Sequence, residues 1–140
     1  MRWTAADSHF VRHLPPGDHA AFYASSRLTL NVTRKAMAEM GWCPSGRLFE
    51  AAACAAAVIS DEWAGLDRFF VSGSEILVAR TSDDVEAALA LSDAELKAIG
   101  RRAYERVLAE HTSLARAREL EALLQGVPPT SSREIIAEVA

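Results

Sequence analysis

The sequence predicts an α/β fold, a Rossmann-like parallel sheet of about four strands with flanking helices. Short β-favouring runs alternate with helical patterns along the chain, the order expected of βαβ units. The run Ala57-Val58-Ile59-Ser60 is short and apolar on both faces, as a central parallel strand is. Thr81 with Asp84, and Ser92 with Glu95, have the spacing of capping boxes at helix starts. Crossovers between such parallel strands are right-handed.

His9-Phe10-Val11-Arg12-His13-Leu14 reads as a first strand, stopped by Pro15-Pro16-Gly17. Asp18 is placed to cap a short helix through Ser25, with Phe22 and Tyr23 available for packing. Leu28-Thr29-Leu30-Asn31-Val32 reads as a second strand. Asn31 or Thr33 then starts a helix from Arg34 to Met40, and a loop follows from Gly41 to Gly46. Arg47 to Ala56 is helical in propensity, and its Ala51-Ala52-Ala53 face permits close approach to a sheet. Leu66 to Phe70 reads as a short helical turn, and Gly73 leads into a last strand, Glu75 to Ala79.

Three helices close the chain. The one capped by Ser92 carries the apolar stripe Leu96, Ile99, Ala103 and Val107. Thr112 caps the last, whose stripe is Leu114, Ala117, Leu120 and Leu124, with a stop at Gly126 and Pro128-Pro129. Residues 1–127 read as one domain and 128–140 as a tail, with no internal repeat.

A chain of 140 residues, half of them apolar, can bury a real core. Its net charge of −4 provides no basic field for a nucleic-acid backbone. No apolar run has the length of a membrane span, and Met1 to Asp7 carry no apolar signal region. Cys43 and Cys54 are not in a CxxC pair, so a cytoplasmic chain with reduced thiols is expected.

Glu50 stands out among the polar residues. A carboxylate early in a helix can accept two ribose hydroxyls while the helix N-terminus attracts phosphate oxygens; the plainer reading is a surface acid complementing the helix dipole. Ahead of it, Gly46 lets a phosphate approach the backbone, Ser45 offers a hydroxyl, and Arg47 can pair with a phosphate. Equally, these three make a helix cap, a turn and a solvated arginine. Asp61, Glu62, Trp63 and Gly65 follow the end of a strand, where side chains reach ligands in open α/β sheets. Their plainer reading is a solvated turn with Trp63 packed on the sheet edge. Asn31 and Thr33 lie on the same rim, where capping is their expected role.

Neither GxGxxG nor GxxxxGK[ST] is present. His9 and His13 have no acidic or cysteine partner at ligand spacing, so no metal site is expected. No Ser-His-acid or Cys-His arrangement is legible.

The segment Pro44-Ser45-Gly46-Arg47-Leu48-Phe49-Glu50-Ala51-Ala52-Ala53-Cys54, continuing to Gly65, resembles the nucleotide-sugar half of GT-B glycosyltransferases. More narrowly, it is similar to the CgeB-like (spore maturation protein) branch of glycosyltransferase group 1. The resemblance runs from Val11 to Leu124 and is strongest from Pro44 to Arg80; Gly73-Ser74-Glu75-Ile76-Leu77-Val78-Ala79-Arg80 repeats the family's wording. It implies that Glu50 holds the ribose of a nucleotide sugar. Trp42 stands where many members have another glutamate, eight residues before Glu50. Ala55 replaces the usual glycine, adding a methyl where the backbone needs φ > 0 or a close approach, and Ala57 replaces a proline.

By resemblance the chain is the C-terminal, donor-binding part of a GT-B enzyme, partial and therefore inactive in isolation. The implied ligand is a UDP-, GDP- or dTDP-linked sugar, without a cofactor. The implied partners are an N-terminal acceptor domain or a second copy paired through an open sheet edge. The alternative is a stand-alone, non-catalytic interaction module of the same descent.

Overall fold

Three short parallel strands form the sheet of a computed structural model that describes residues 13–126: β1 (Thr29–Asn31), β2 (Val58–Ser60) and β3 (Leu77–Val78). Their order is β1-β2-β3. Asn31 pairs with Ser60 and Ser60 with Val78, so the carboxyl ends of the strands stand in one rank. The strand read over His9 to Leu14 lies largely outside the described residues, and His13 and Leu14 have no regular structure. The tail read at 128–140 lies outside them entirely.

The strands are shorter than their apolar runs. Leu28 and Val32 fall outside β1 because a strand extends only as far as its partner pairs with it. All three residues of β2 are buried, which fits its central place.

A 3-10 turn at Pro16–Asp18 leads into α1 (His19–Ser25), which Asp18 precedes without any side-chain capping bond. α2 (Lys35–Met40) and α3 (Gly46–Ala53) cross from β1 to β2, and α4 (Leu66–Phe69) crosses from β2 to β3. α5 (Ser82–Ala90), α6 (Asp93–Glu110) and α7 (Ser113–Leu124) follow. The Thr81/Asp84 and Ser92/Glu95 capping boxes both form, and Thr112 accepts a bond from the Ala115 amide.

The core lies where α3 and α6 meet the sheet. Leu48, Ala51 and Ala52 of α3 pack with Val58, Phe70, Ile76, Ala103 and Val107. Leu96 and Ile99 bury a second cluster with Ala57. α3 ends at Ala53, earlier than its apolar run, because Ala55 has φ 55° and turns the chain into β2. At that corner α6 comes in close: a Cβ on Gly100 would lie 2.1 Å from the Ala55 carbonyl oxygen.

One expectation reverses. The α7 stripe is not buried; Leu114, Leu120 and Leu124 are exposed, and α7 contributes no buried residue among those described. Periodicity identifies an apolar face, but it does not supply a neighbour to cover it.

α7 is nevertheless tied to the core through His111. The His111 Nε2 lies 3.0 Å from the Phe69 carbonyl, and Nδ1 lies 2.6 Å from an Arg116 nitrogen. A carbonyl only accepts and a guanidinium only donates, so these partners fix the neutral ring with its hydrogen on Nε2. Burial among Phe49, Phe69 and Phe70 lowers its pKa below the usual value.

Candidate functional site

α3 runs back against the parallel strands, so its N-terminus lies at their carboxyl edge. Ser45 occupies the cap position but makes no side-chain capping bond. Glu50 is in the second turn, one turn later than a dipole-complementing acid would stand. Its carboxylate leans toward the helix start, with Oε1 3.9 Å from where a Cβ on Gly46 would be. Glu50 Oε2 lies 3.3 Å from His19 Nδ1, and His19 Nε2 lies 3.1 Å from the Leu14 carbonyl. Both ring nitrogens therefore face acceptors.

Tyr23 closes the floor of this group. It is buried and meets the His19 ring edge-on at 6.2 Å between centroids. Burial raises the pKa of its phenol, with the Glu50 charge adding and Arg47 opposing. Arg47 is exposed; its Nη1 donates a long hydrogen bond, 3.4 Å, to Asn31 Oδ1, and its side chain also reaches the Tyr23 phenol.

Asn31 and Thr33 do not cap α2, which starts after Arg34 with no side-chain cap. Instead they join the exits of β1 and β2. Asn31 Nδ2 donates to Ser60 Oγ at 3.0 Å, deep in the structure. The Thr33 amide and hydroxyl donate to Asp61 Oδ1 at 2.9 and 2.8 Å. Asp61 is thus a brace between two strand ends, with part of its accepting capacity already used.

Glu62 points the other way, toward β3. Arg80 grips it with a two-pronged bond, Nε to Oε2 at 2.6 Å and Nη2 to Oε1 at 2.5 Å. That hydrogen bonding lowers the pKa of the Glu62 carboxyl. An open cavity of about 510 Å³ lies here, lined by Glu62 through Asp67 and by Phe70, Ser72, Val78 and Arg80. Trp63 is buried and packs near Phe69, and its Nε1 has no partner among the described residues.

Gly65 has φ 96°, and a Cβ on it would strike the Trp42 ring at 2.7 Å. Trp42 itself has φ 53°, a conformation that costs an L-residue about 1–2 kcal/mol. The Trp42 amide donates to the Ala64 carbonyl at 2.8 Å, and Gly41, at φ 68°, packs on Ala64. The 41–46 loop is therefore clamped onto the 61–65 loop.

The residues singled out in the sequence fall into two groups on one rim. Ser45, Gly46, Arg47 and Glu50 gather with His19, Tyr23 and Asn31; Glu62, Trp63 and Gly65 line the cavity with Arg80; Asp61 stands between. His19, Tyr23 and Arg80 escaped the sequence reading because each meets its partner across a long stretch of chain. Ala55 lies at the opposite edge, at the C-terminal end of α3. Its φ is positive, as the missing glycine implied, and its carbonyl faces Gly100, away from the rim. The Ala-for-Gly change thus bears on the packed corner and does not touch ligand fit directly.

Among the described residues, no three His, Cys, Asp or Glu side chains come together to hold a metal ion, and no helix is long and apolar enough to cross a membrane.

The polar groups of this α/β chain collect at the carboxyl ends of the strands, the edge at which open α/β sheets place ligand sites. The particular family is given by comparison: the model of the glycosyl transferase-like family matches residues 2–122, and the chain belongs to that family. No curated protein and no solved structure matches it.

Proposed function

We propose that this chain is the nucleotide-sugar-binding, C-terminal part of a GT-B glycosyltransferase of the CgeB-like branch, with residues 1–127 as the donor-domain segment and 128–140 as a tail. The observation that carries the reading is the Glu50 carboxylate, turned toward an α3 N-terminus that Ser45 leaves uncapped. Glu50 accepts the two ribose hydroxyls, and His19 holds it in place. The first amides of α3 and the loosely held Arg47 receive the diphosphate.

Glycosyl transfer breaks the bond between the anomeric carbon and the diphosphate oxygen and forms one to an acceptor hydroxyl, whose proton is lost. Negative charge develops on the departing diphosphate, and the α3 amides and Arg47 stabilise it there. Groups for the acceptor side come from an N-terminal domain, so the chain alone transfers no sugar at a useful rate. The setting is cytoplasmic.

The second reading is a non-catalytic interaction module. The exposed stripe Leu114, Leu120 and Leu124, together with exposed Leu30 of β1, the edge strand among the described residues, and Val32 just after it, favours it. Calorimetric titration with UDP, GDP, ADP and dTDP separates the two. Donor binding predicts saturable heat with one of these nucleotides, abolished or strongly weakened in Glu50→Ala. Silence with all four refutes the donor site and leaves the interaction module.

A further inference from the structure

α7 carries an apolar stripe that no described residue covers. Its half-buried positions are Ala115, Glu119 and Ala122, spaced four and three apart, and they mark the side turned toward the rest of the fold. At about 3.6 residues per turn, Leu114, Ala117, Leu120 and Leu124 fall on the opposite side. The three leucines are each more than half exposed. The helix beneath them is well fixed. Thr112 caps it through the Ala115 amide, and Arg116 is held between Glu119 Oε2 and His111 Nδ1, each at 2.6 Å. Leucines aligned on the outer face of a capped helix mark an interaction surface.

We propose that α7 pairs with α7 of a second copy of this chain, antiparallel, about a twofold axis near residues 119 and 120. Sizes and charges along the helix both point to this occupant and this direction. Antiparallel pairing brings Leu114 level with the partner's Leu124, and Ala117 level with the partner's Leu120, a small residue against a large one. Arg118 and Glu121 border the stripe on one side. The twofold axis sets that border against itself, so Arg118 of each copy meets Glu121 of the other. Both charges are open to this use. Among the described residues Arg118 makes no ion pair, and the Glu121 carboxylate accepts only a 3.5 Å bond from Gln125 Nε2. A parallel pair would stack alanine on alanine at position 117 and set the Arg118 border against the border that holds Arg116, arginine facing arginine. The 12 residues of α7 span about 18 Å, short for a permanent interface, so the dimer forms reversibly with concentration.

Sedimentation equilibrium of the full chain, from about 10 µM to about 1 mM, tests the pairing. The average mass should climb from that of one chain toward that of two. Leu120 is exposed, so Leu120→Glu should leave the thermal melt unchanged and weaken association roughly tenfold or more. Arg118→Glu and Glu121→Arg should each weaken it about fivefold to tenfold. An equimolar mixture of those two variants should associate as wild type does, because the contact then regains both ion pairs. Single variants that associate like wild type, or a mixture that does not associate, overturn the antiparallel register. A chain that stays monomeric throughout, or an association that Leu120→Glu leaves intact, overturns the pairing itself and leaves the stripe to a different protein surface.

Discussion

The two edges of the sheet each hold a non-glycine residue at positive φ, Ala55 at one and Trp42 at the other. At the Ala55 edge the strained residue is itself exposed, and it is its backbone that is packed. Its carbonyl is the surface against which Gly100 seats α6, and neighbouring Ala56 and Ala57 are buried. At the Trp42 edge a polar network braces the strand ends, and the strained residue itself is exposed. The same backbone strain thus serves a helix-packing corner in one place and an open rim in the other. Strain beside a core is relieved by changing the residue; strain at a rim, if it serves a ligand, is relieved at the expense of binding.

The largest effect separating the edges is expected at Gly100. Gly100→Ala forces a methyl into the Ala55 carbonyl and should cost about 3 kcal/mol, the upper range for overpacking, in urea unfolding. A loss under 1 kcal/mol, by the same overpacking scale, means that α6 slides freely and the packed-corner account is wrong.

Next comes Glu50→Ala, which should leave the urea midpoint nearly unchanged yet reduce nucleotide affinity at least tenfold, given roughly 1.5–3 kcal/mol for hydrogen bonds to a charged group. A large fall in stability with binding intact reverses the assignment of Glu50 to the rim.

A smaller effect, of opposite sign, is expected at the corner. Ala55→Gly relieves about 1–2 kcal/mol of left-handed strain and gives back about 0.5–1 in unfolded-chain entropy. Urea unfolding should show a net gain of roughly 0.5–1 kcal/mol with nucleotide affinity unchanged. Altered affinity would show that the two edges are coupled.

The smallest is a pH dependence. His111 is held neutral, with its folded pKa below the ordinary value of about 6.5. On acidification the unfolded chain takes up this proton first, so the stability it contributes is complete above about pH 6.5 and is lost as pH falls through that value toward the folded pKa. Stability should therefore drop between pH 7.5 and pH 5.5, above the carboxylate range, and His111→Gln should flatten that drop. A profile that is flat in wild type contradicts the buried neutral ring.

Local rules read the helices well. Both capping boxes and the Leu96, Ile99, Ala103, Val107 stripe were legible because their partners lie three or four residues apart. Gly100 was in plain sight as an isolated glycine inside that helical pattern, a recognised sign of close packing. The limits of β1 and β3 were not legible, since a strand's length is decided by its neighbour. The rim was half legible. Glu50 and the strand-end loops follow from position along the chain, but the His19–Glu50 pair, the Asp61 brace and the Arg80 grip on Glu62 join residues that only the fold brings together. Likewise, Trp42 reads in the sequence as a lost glutamate and in the structure as an exposed ring beside Gly65.

An amide chemical-shift titration of the chain with UDP, GDP, ADP and dTDP tests the central claim most directly. The account predicts shifts confined to residues 45–50 and 61–65 with one of these nucleotides, absent in Glu50→Ala. No shift at millimolar nucleotide, or shifts clustered on α7 instead, would contradict a nucleotide site at the rim.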